Sequence, residues 1–250
     1  MNTPPMPPGE LRQIFLIAAQ TLREALSTWV TGTLAVSFLL ISSVYIFEIY
    51  PFFLIGEATL RPFFEVAPLL LTLTLPALTM GAFADERRSG HLELLWSLPI
   101  SDRALVLGKL CAYQLLLLFL LALSLPWPGL ISRLAPLSWG PILSGYLGLW
   151  LLGSAYLSIG LWFSARATHP LVVWLLSFTL CLALYLAALG STFLPPPWSG
   201  WLYQLSFELH TRQLARGVID SRDLFFFLVA AALPLNFAIE ALQSRNWRSP

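Results

Sequence analysis

Hydrophobic residues in this chain come in long unbroken runs, with the polar residues gathered between them. Six stretches contain no Asp, Glu, Lys or Arg: residues 25–47, 66–84, 110–132, 134–165, 167–207 and 224–239. An α-helix needs about 20 apolar residues to cross the hydrocarbon core of a bilayer, so each run predicts a transmembrane helix. The spans expected are 27–47, 66–84, 109–131, 142–163, 170–190 and 223–241. Pro136 and Pro141 assign the start of the fourth run to a loop. The triple Pro195-Pro196-Pro197 ends the fifth span or opens a non-helical segment beyond it. Residues 10–26 follow a different rule: Leu11, Ile14, Phe15, Ala18, Leu22 and Leu26 recur at helical spacing, with Arg12, Gln13, Arg23 and Glu24 elsewhere. That is the pattern of an amphipathic helix in the membrane interface; the alternative is a cytoplasmic extension of the first span. The expected fold is an all-α polytopic membrane protein, one domain over 1–250.

Composition sharpens this. Of 250 residues, 57% are hydrophobic and 11% charged, against about 25% charged in soluble domains, which excludes a soluble globular enzyme. A net charge of +1 gives no reason to expect nucleic-acid binding. Cys111 and Cys181 fall in apolar runs and read as packed hydrophobes rather than a disulfide or metal pair. The Pro-rich start lacks a basic region leading into an apolar core, so no cleaved signal peptide is expected. With six spans both termini share a side. Placing them in the cytoplasm puts nine of the 14 Lys and Arg inside and five outside, which favours that orientation in the inner (plasma) membrane.

The most polar stretch lies between spans two and three, 85–108. Asp85, Glu86, Arg87 and Arg88 end the second span, and Gly90 allows a turn. His91 to Leu98 can form about two helical turns carrying Glu93, with Leu92, Leu95 and Trp96 on one side. Pro99 then breaks the helix, and Ser101 or Asp102 can cap the next. This is either a solvated hairpin or a docking element whose apolar side enters a partner's groove. The segment 191–222 is the second informative region. Trp198 and Trp201 suit a membrane–water boundary, and Leu205, Phe207, Leu209 and Leu214 alternate with Glu208, His210, Arg212 and Arg216. Asp220 or Ser221 can cap the sixth span, and Pro234 lies inside it. In the fourth span Ser144, Gly148, Gly153, Ser154, Ser158, Gly160 and Ser164 allow close helix packing or line a path, packing being the commoner use. No charged residue is expected deep in a span, which argues against a proton- or sodium-driven carrier. No Gly-x-x-x-x-Gly-Lys-[Ser/Thr] loop is present, and Gly108-Lys109 lacks its flanking residues.

These residues, taken in order, resemble a known family. Pro76-Ala-Leu-Thr-Met80, Phe83-Ala-Asp-Glu-Arg-Arg-Ser-Gly90, Leu92-Glu-Leu-Leu95, Leu98-Pro-Ile-Ser-Asp102 and Leu107-Gly-Lys109 are similar to the signature of ABC-2-type transporter permeases, nearest to those of gliding-motility systems. Leu60-Arg-Pro-Phe-Phe64, Gly145-Tyr-Leu-Gly148 and Arg216-Gly-Val-Ile-Asp-Ser-Arg-Asp223 continue the resemblance, which covers about residues 60–247. Gly81 stands where the family commonly has Arg, and His91 where it has Thr. The resemblance implies a six-span permease without its own motor, paired with a second copy or a homologous subunit and driven by an ABC ATPase subunit that binds the ATP and Mg. It implies no cofactor in this chain. The ATPase would grip Asp85, Glu86, Arg87, Arg88, Gly90, His91, Glu93, Leu95 and Trp96. The segment 191–222 would form short interfacial or re-entrant helices, an outer gate using Trp198, Trp201, Phe207, Arg216 and Asp220; a plain periplasmic loop is the alternative. Membrane lipid, and an accessory subunit with a periplasmic domain, are further expected partners. The rival functions are a membrane anchor for an ATPase-driven mechanical complex and an intramembrane enzyme; the three histidines, His91, His169 and His210, and the absence of a His-Glu-x-x-His pair give the latter little support.

Overall fold

The computed structural model describes residues 9–49, 60–90, 100–134 and 137–246. They are helical throughout, with no strand among them. Five helical stretches are long and apolar enough to cross a membrane: Trp29–Glu48, Arg61–Arg88, Asp102–Arg133, Trp139–Arg166 and Ser221–Ser244. The chain has the make-up of a multi-pass membrane protein.

α1 (Glu10–Ser27) is a helix of its own, because Thr28 takes an extended conformation before α2 (Trp29–Val44) begins. α1 does not simply lengthen the first span. It packs along α5 (Asp102–Leu123), where Gly108 leaves room for the Ile17 side chain. Leu11, Phe15 and Leu26 stay exposed, an apolar flank beside the packed one. α2 ends in a π-helical turn, Tyr45–Ile49, and buries little besides Phe38, whose ring meets Phe63 edge-on at 6.5 Å.

α3 (Arg61–Thr79) starts earlier than the predicted span because Pro62 suits the first helical turn, so Arg61 and Glu65 are helical. It also ends earlier: a turn follows, then the short α4 (Ala84–Arg88) carries the charges expected to terminate it. Pro68 and Pro76 sit inside α3, where Thr72 and Thr79 hydroxyls donate back to the carbonyls of Leu69 (2.6 Å) and Leu75 (3.1 Å). The Ser101 side chain caps α5 by accepting from the Ala104 N–H at 3.1 Å, so this helix begins seven residues before the span expected from 109. It stops at Ser124, and α6 (Pro126–Leu134) follows.

α7 (Trp139–Arg166) is the centre of the bundle, meeting α3, α5, α8, α11 and α12. Its small residues face close neighbours: Gly145 lies under the Phe64 ring, Gly153 under Leu117 and Gly160 under Thr79. Packing within the chain is their observed use. α8 (Pro170–Tyr185) is 16 residues long, about 24 Å and short of a full crossing at 1.5 Å per residue. The single span predicted over 170–190 is interrupted at Leu186, and α9 (Ala187–Ser191) continues it. Then come α10 (Trp198–Gln204), α11 (Phe207–Ala215) and α12 (Ser221–Asn246). Asp220 caps α12, its Oδ1 accepting from the Arg222 N–H at 3.0 Å. Cys181 is buried as expected, whereas Cys111 is exposed on α5.

Candidate functional site

Two polar assemblies lie at opposite ends of α7. The first surrounds α4. Lys109, eight residues into α5, is only 3% exposed. Its Nζ stands 2.6 Å from Glu86 Oε1, donates to the Ala82 carbonyl, and lies 4.4 Å from the centre of the Phe83 ring. Lys109 stands at the edge of the expected third span and is buried by protein, enclosed by α1, α4 and α5. Glu86 Oε2 is buried with no hydrogen-bond partner among the described residues.

Two further side chains tie α4 to the end of α7. Ser164 Oγ accepts from the N–H groups of Phe83 (2.9 Å) and Ala84 (3.3 Å) and donates to the Met80 carbonyl at 3.3 Å. The Arg87 guanidinium donates to the carbonyls of Ala165 (2.7 Å), Arg166 and Ala167 (both 3.2 Å). Those are terminal carbonyls of a helix, where a cation is favoured. Asp85 and Arg88 are exposed; the Asp85 carboxylate lies against Gly81, so a side chain there would displace it. Gly90 has φ +76°, the left-handed conformation the expected turn requires. His91, Glu93, Leu95 and Trp96 lie outside the described residues.

The second assembly is built on α11. Leu214 packs over Gly148, and the Phe207 ring meets Tyr156 at 5.6 Å. α11 therefore runs antiparallel to α7, its Phe207 end roughly 25 Å in from Trp139 at the usual helical rise. Ser206 Oγ, just before α11, donates to the Tyr185 carbonyl at the end of α8 (3.1 Å). His210 Nδ1 lies 2.6 Å from Asp223 Oδ1 and Nε2 lies 2.9 Å from the Gln204 carbonyl, with the ring stacked on Phe226 at 4.0 Å. Both ring nitrogens thus face oxygen atoms of the protein. This pair joins residues 13 apart with no motif to announce it.

A cleft of about 440 Å³ opens between α3, α7, α8 and α11, lined by Arg61, Glu65, Tyr185, Glu208, Arg212 and Arg216 over an apolar floor. Of the residues expected at this end, Arg216 lines the cleft, Phe207 is buried behind it among Tyr156, Phe226 and Phe227, and Asp220 serves as the cap of α12. Trp198 and Trp201 are 67% and 74% exposed on α10 and away from the cleft. Among the described residues no group of three or more His, Cys, Asp or Glu could hold a metal ion. No protein-family model matches the chain, and no curated protein matches it.

Proposed function

We propose that this chain is the membrane-spanning permease subunit of an ATP-driven exporter of the ABC-2 type, in the manner of the gliding-motility permeases. The observation that carries the reading is the anchoring of α4. Lys109, Ser164 and Arg87 fasten this short helix to α5 and α7, and the chain runs from α4 straight into the segment 91–100. A force applied to that segment therefore loads two apolar helices at once.

In this reading the α4 end is cytoplasmic, and 85–100 is the coupling segment received by a separate ATPase subunit. α1 lies in the interface beside it. The chain crosses the inner membrane six times, with both termini cytoplasmic. The fifth crossing is α8 continued by α9, about 33 Å over Pro170–Ser191 at the usual helical rise, and α10 and α11 are the re-entrant gate helices. The antiparallel run of α11 beside α7 supports that placement. A second permease, identical or homologous, completes the path. ATP closure of the partner ATPases displaces 85–100 and tilts the α3 and α5 helices, opening a route for an amphipathic or lipid-linked cargo.

Affinity purification of the tagged chain from native membranes tests this. We expect an ATP-binding-cassette ATPase to co-purify, and Glu93 and Leu95 substitutions to uncouple its hydrolysis from transport while membrane insertion is unchanged. Variants with normal ATPase association and stimulation would refute the docking role.

A further inference from the structure

The floor of the α11 cleft is apolar, with Leu60, Phe64 and Ile142 buried there. Its rim is charged, and the charges form two ladders. On α3, Arg61 Nε and Glu65 Oε1 are 3.3 Å apart, one turn along the helix. On α11, Glu208, Arg212 and Arg216 follow at intervals of four residues, with Arg212 Nη2 2.9 Å from Glu208 Oε1. Each carboxylate of the cleft thus already has an arginine on its own helix. Arg216 is exposed, and its guanidinium makes no ion pair or hydrogen bond among the described residues. Among the described residues, three guanidiniums stand against two carboxylates on the rim, an excess of one positive charge. The same Glu208–Arg212–Arg216 ladder borders a second cavity of about 250 Å³, shared with Tyr203 and Gln213.

We propose that this cleft binds a phosphate-bearing amphiphile. Arg216 and Arg212 hold the phosphate, and the first apolar atoms of the ligand rest on the Leu60, Phe64 and Ile142 floor. Each alternative chemistry leaves part of the cleft unused. A cation finds both carboxylates engaged. A wholly apolar molecule covers the Arg216 guanidinium without offering it an acceptor. A bare soluble anion leaves the floor in water. The planar fork of an arginine matches two oxygens of a phosphate, and a volume of this size accommodates a head group with its first chain atoms. The use of the ligand, as cargo or as resident lipid, rests on the permease reading; its binding rests on the cleft alone.

The test uses the full chain in neutral detergent, with binding followed by native mass spectrometry. The probes are dioctanoyl phosphatidic acid, dioctanoylglycerol and inorganic phosphate. We expect saturable binding of the phosphatidic acid, at least about tenfold tighter than either of the others. Arg216→Gln and Arg212→Gln should each weaken it at least about tenfold, about 1.4 kcal/mol. Arg133→Gln, an exposed cation on α6 outside the cleft, should leave it unchanged. The proposal is overturned by the absence of saturable binding, by inorganic phosphate matching the lipid, or by wild-type affinity in both Arg212 and Arg216 variants. No ATPase is present in the assay, so a failed ATPase co-purification would leave this result standing, and the reverse holds too.

Discussion

Replacing Lys109 by methionine keeps most of the side chain's length and removes its charge. Glu86 Oε1 then loses its partner at 2.6 Å, Oε2 has none among the described residues, and the Ala82 carbonyl loses a donor. Removing one member of a buried ion pair costs about 3–5 kcal/mol, because the other charge is left uncompensated. The Glu86 side chain remains 26% exposed, so water reaches it and Lys109→Met falls at the low end, about 3 kcal/mol. The reverse deletion, Glu86→Leu, strands an ammonium whose side chain is 3% exposed and falls at the high end, about 5 kcal/mol. Replacing both together removes both charges, and exchange of a whole buried pair for apolar side chains is often close to neutral.

The expected order of stability is therefore wild type, then the double variant, then Lys109→Met, then Glu86→Leu. Unfolding by SDS in mixed micelles, followed by tryptophan fluorescence, measures all four in one double-mutant cycle. Two results would refute the reasoning. One is a Lys109→Met protein within about 0.5 kcal/mol of wild type, the limit below which independent sites simply add. The other is a double variant destabilised by the sum of the two single changes.

Two more consequences follow from the packing around α7. A Cβ on Gly160 would overlap Thr79 Oγ1 and stand 2.9 Å from Thr79 Cβ, so Gly160→Ala should cost about 1–3 kcal/mol by overpacking, with partial recovery on adding Thr79→Ala in the same unfolding assay. Ser164→Ala leaves the buried N–H groups of Phe83 and Ala84 without their acceptor, at about 1–3 kcal/mol; faster amide hydrogen exchange at those two residues than in wild type is the direct readout, and unchanged rates would contradict the assignment.

Much of the bundle could be read from the runs of apolar residues, and the discrepancies have specific causes. The third span was expected from 109 because Asp102, Arg103 and Lys109 are charged, yet α5 starts at its Ser101 cap. Backbone hydrogen bonding determines where a helix begins, whereas charge density determines only where a run of lipid-compatible residues begins. The same difference puts Arg61 and Glu65 inside α3. Lys109 could not be assigned to the interior from spacing, because what encloses it is α1 lying over Gly108, a contact with residues some ninety positions away. The run 167–207 is longer than the one crossing it was assigned, but the break at Leu186 has no Gly or Pro to mark it. Ser206 holds the end of α8 through its hydrogen bond to the Tyr185 carbonyl. The cleft is formed by four helices, with α3 and α11 far apart in sequence, and of its rim only Arg216 is legible in the sequence as a gate residue.

How a displacement at α4 would spread depends on where the packing leaves slack. α3 and α7 are in contact from one end to the other, at Phe64–Gly145, Leu75–Gly153 and Thr79–Gly160, with little gap at any of them. Densely packed interiors transmit strain instead of absorbing it, so these two helices move together and carry α11 with them through Gly148–Leu214. α1 and α5 form the other closely packed pair, joined at Gly108 and Ile17. The two groups meet where Leu117 of α5 packs over Gly153 of α7, and the Lys109–Glu86 ion pair joins them again at the end where the 91–100 segment departs. The cleft between α3, α7, α8 and α11 lies within the first group except at α8, which ends short at Tyr185 and is held to the α10–α11 junction by the Ser206 hydrogen bond.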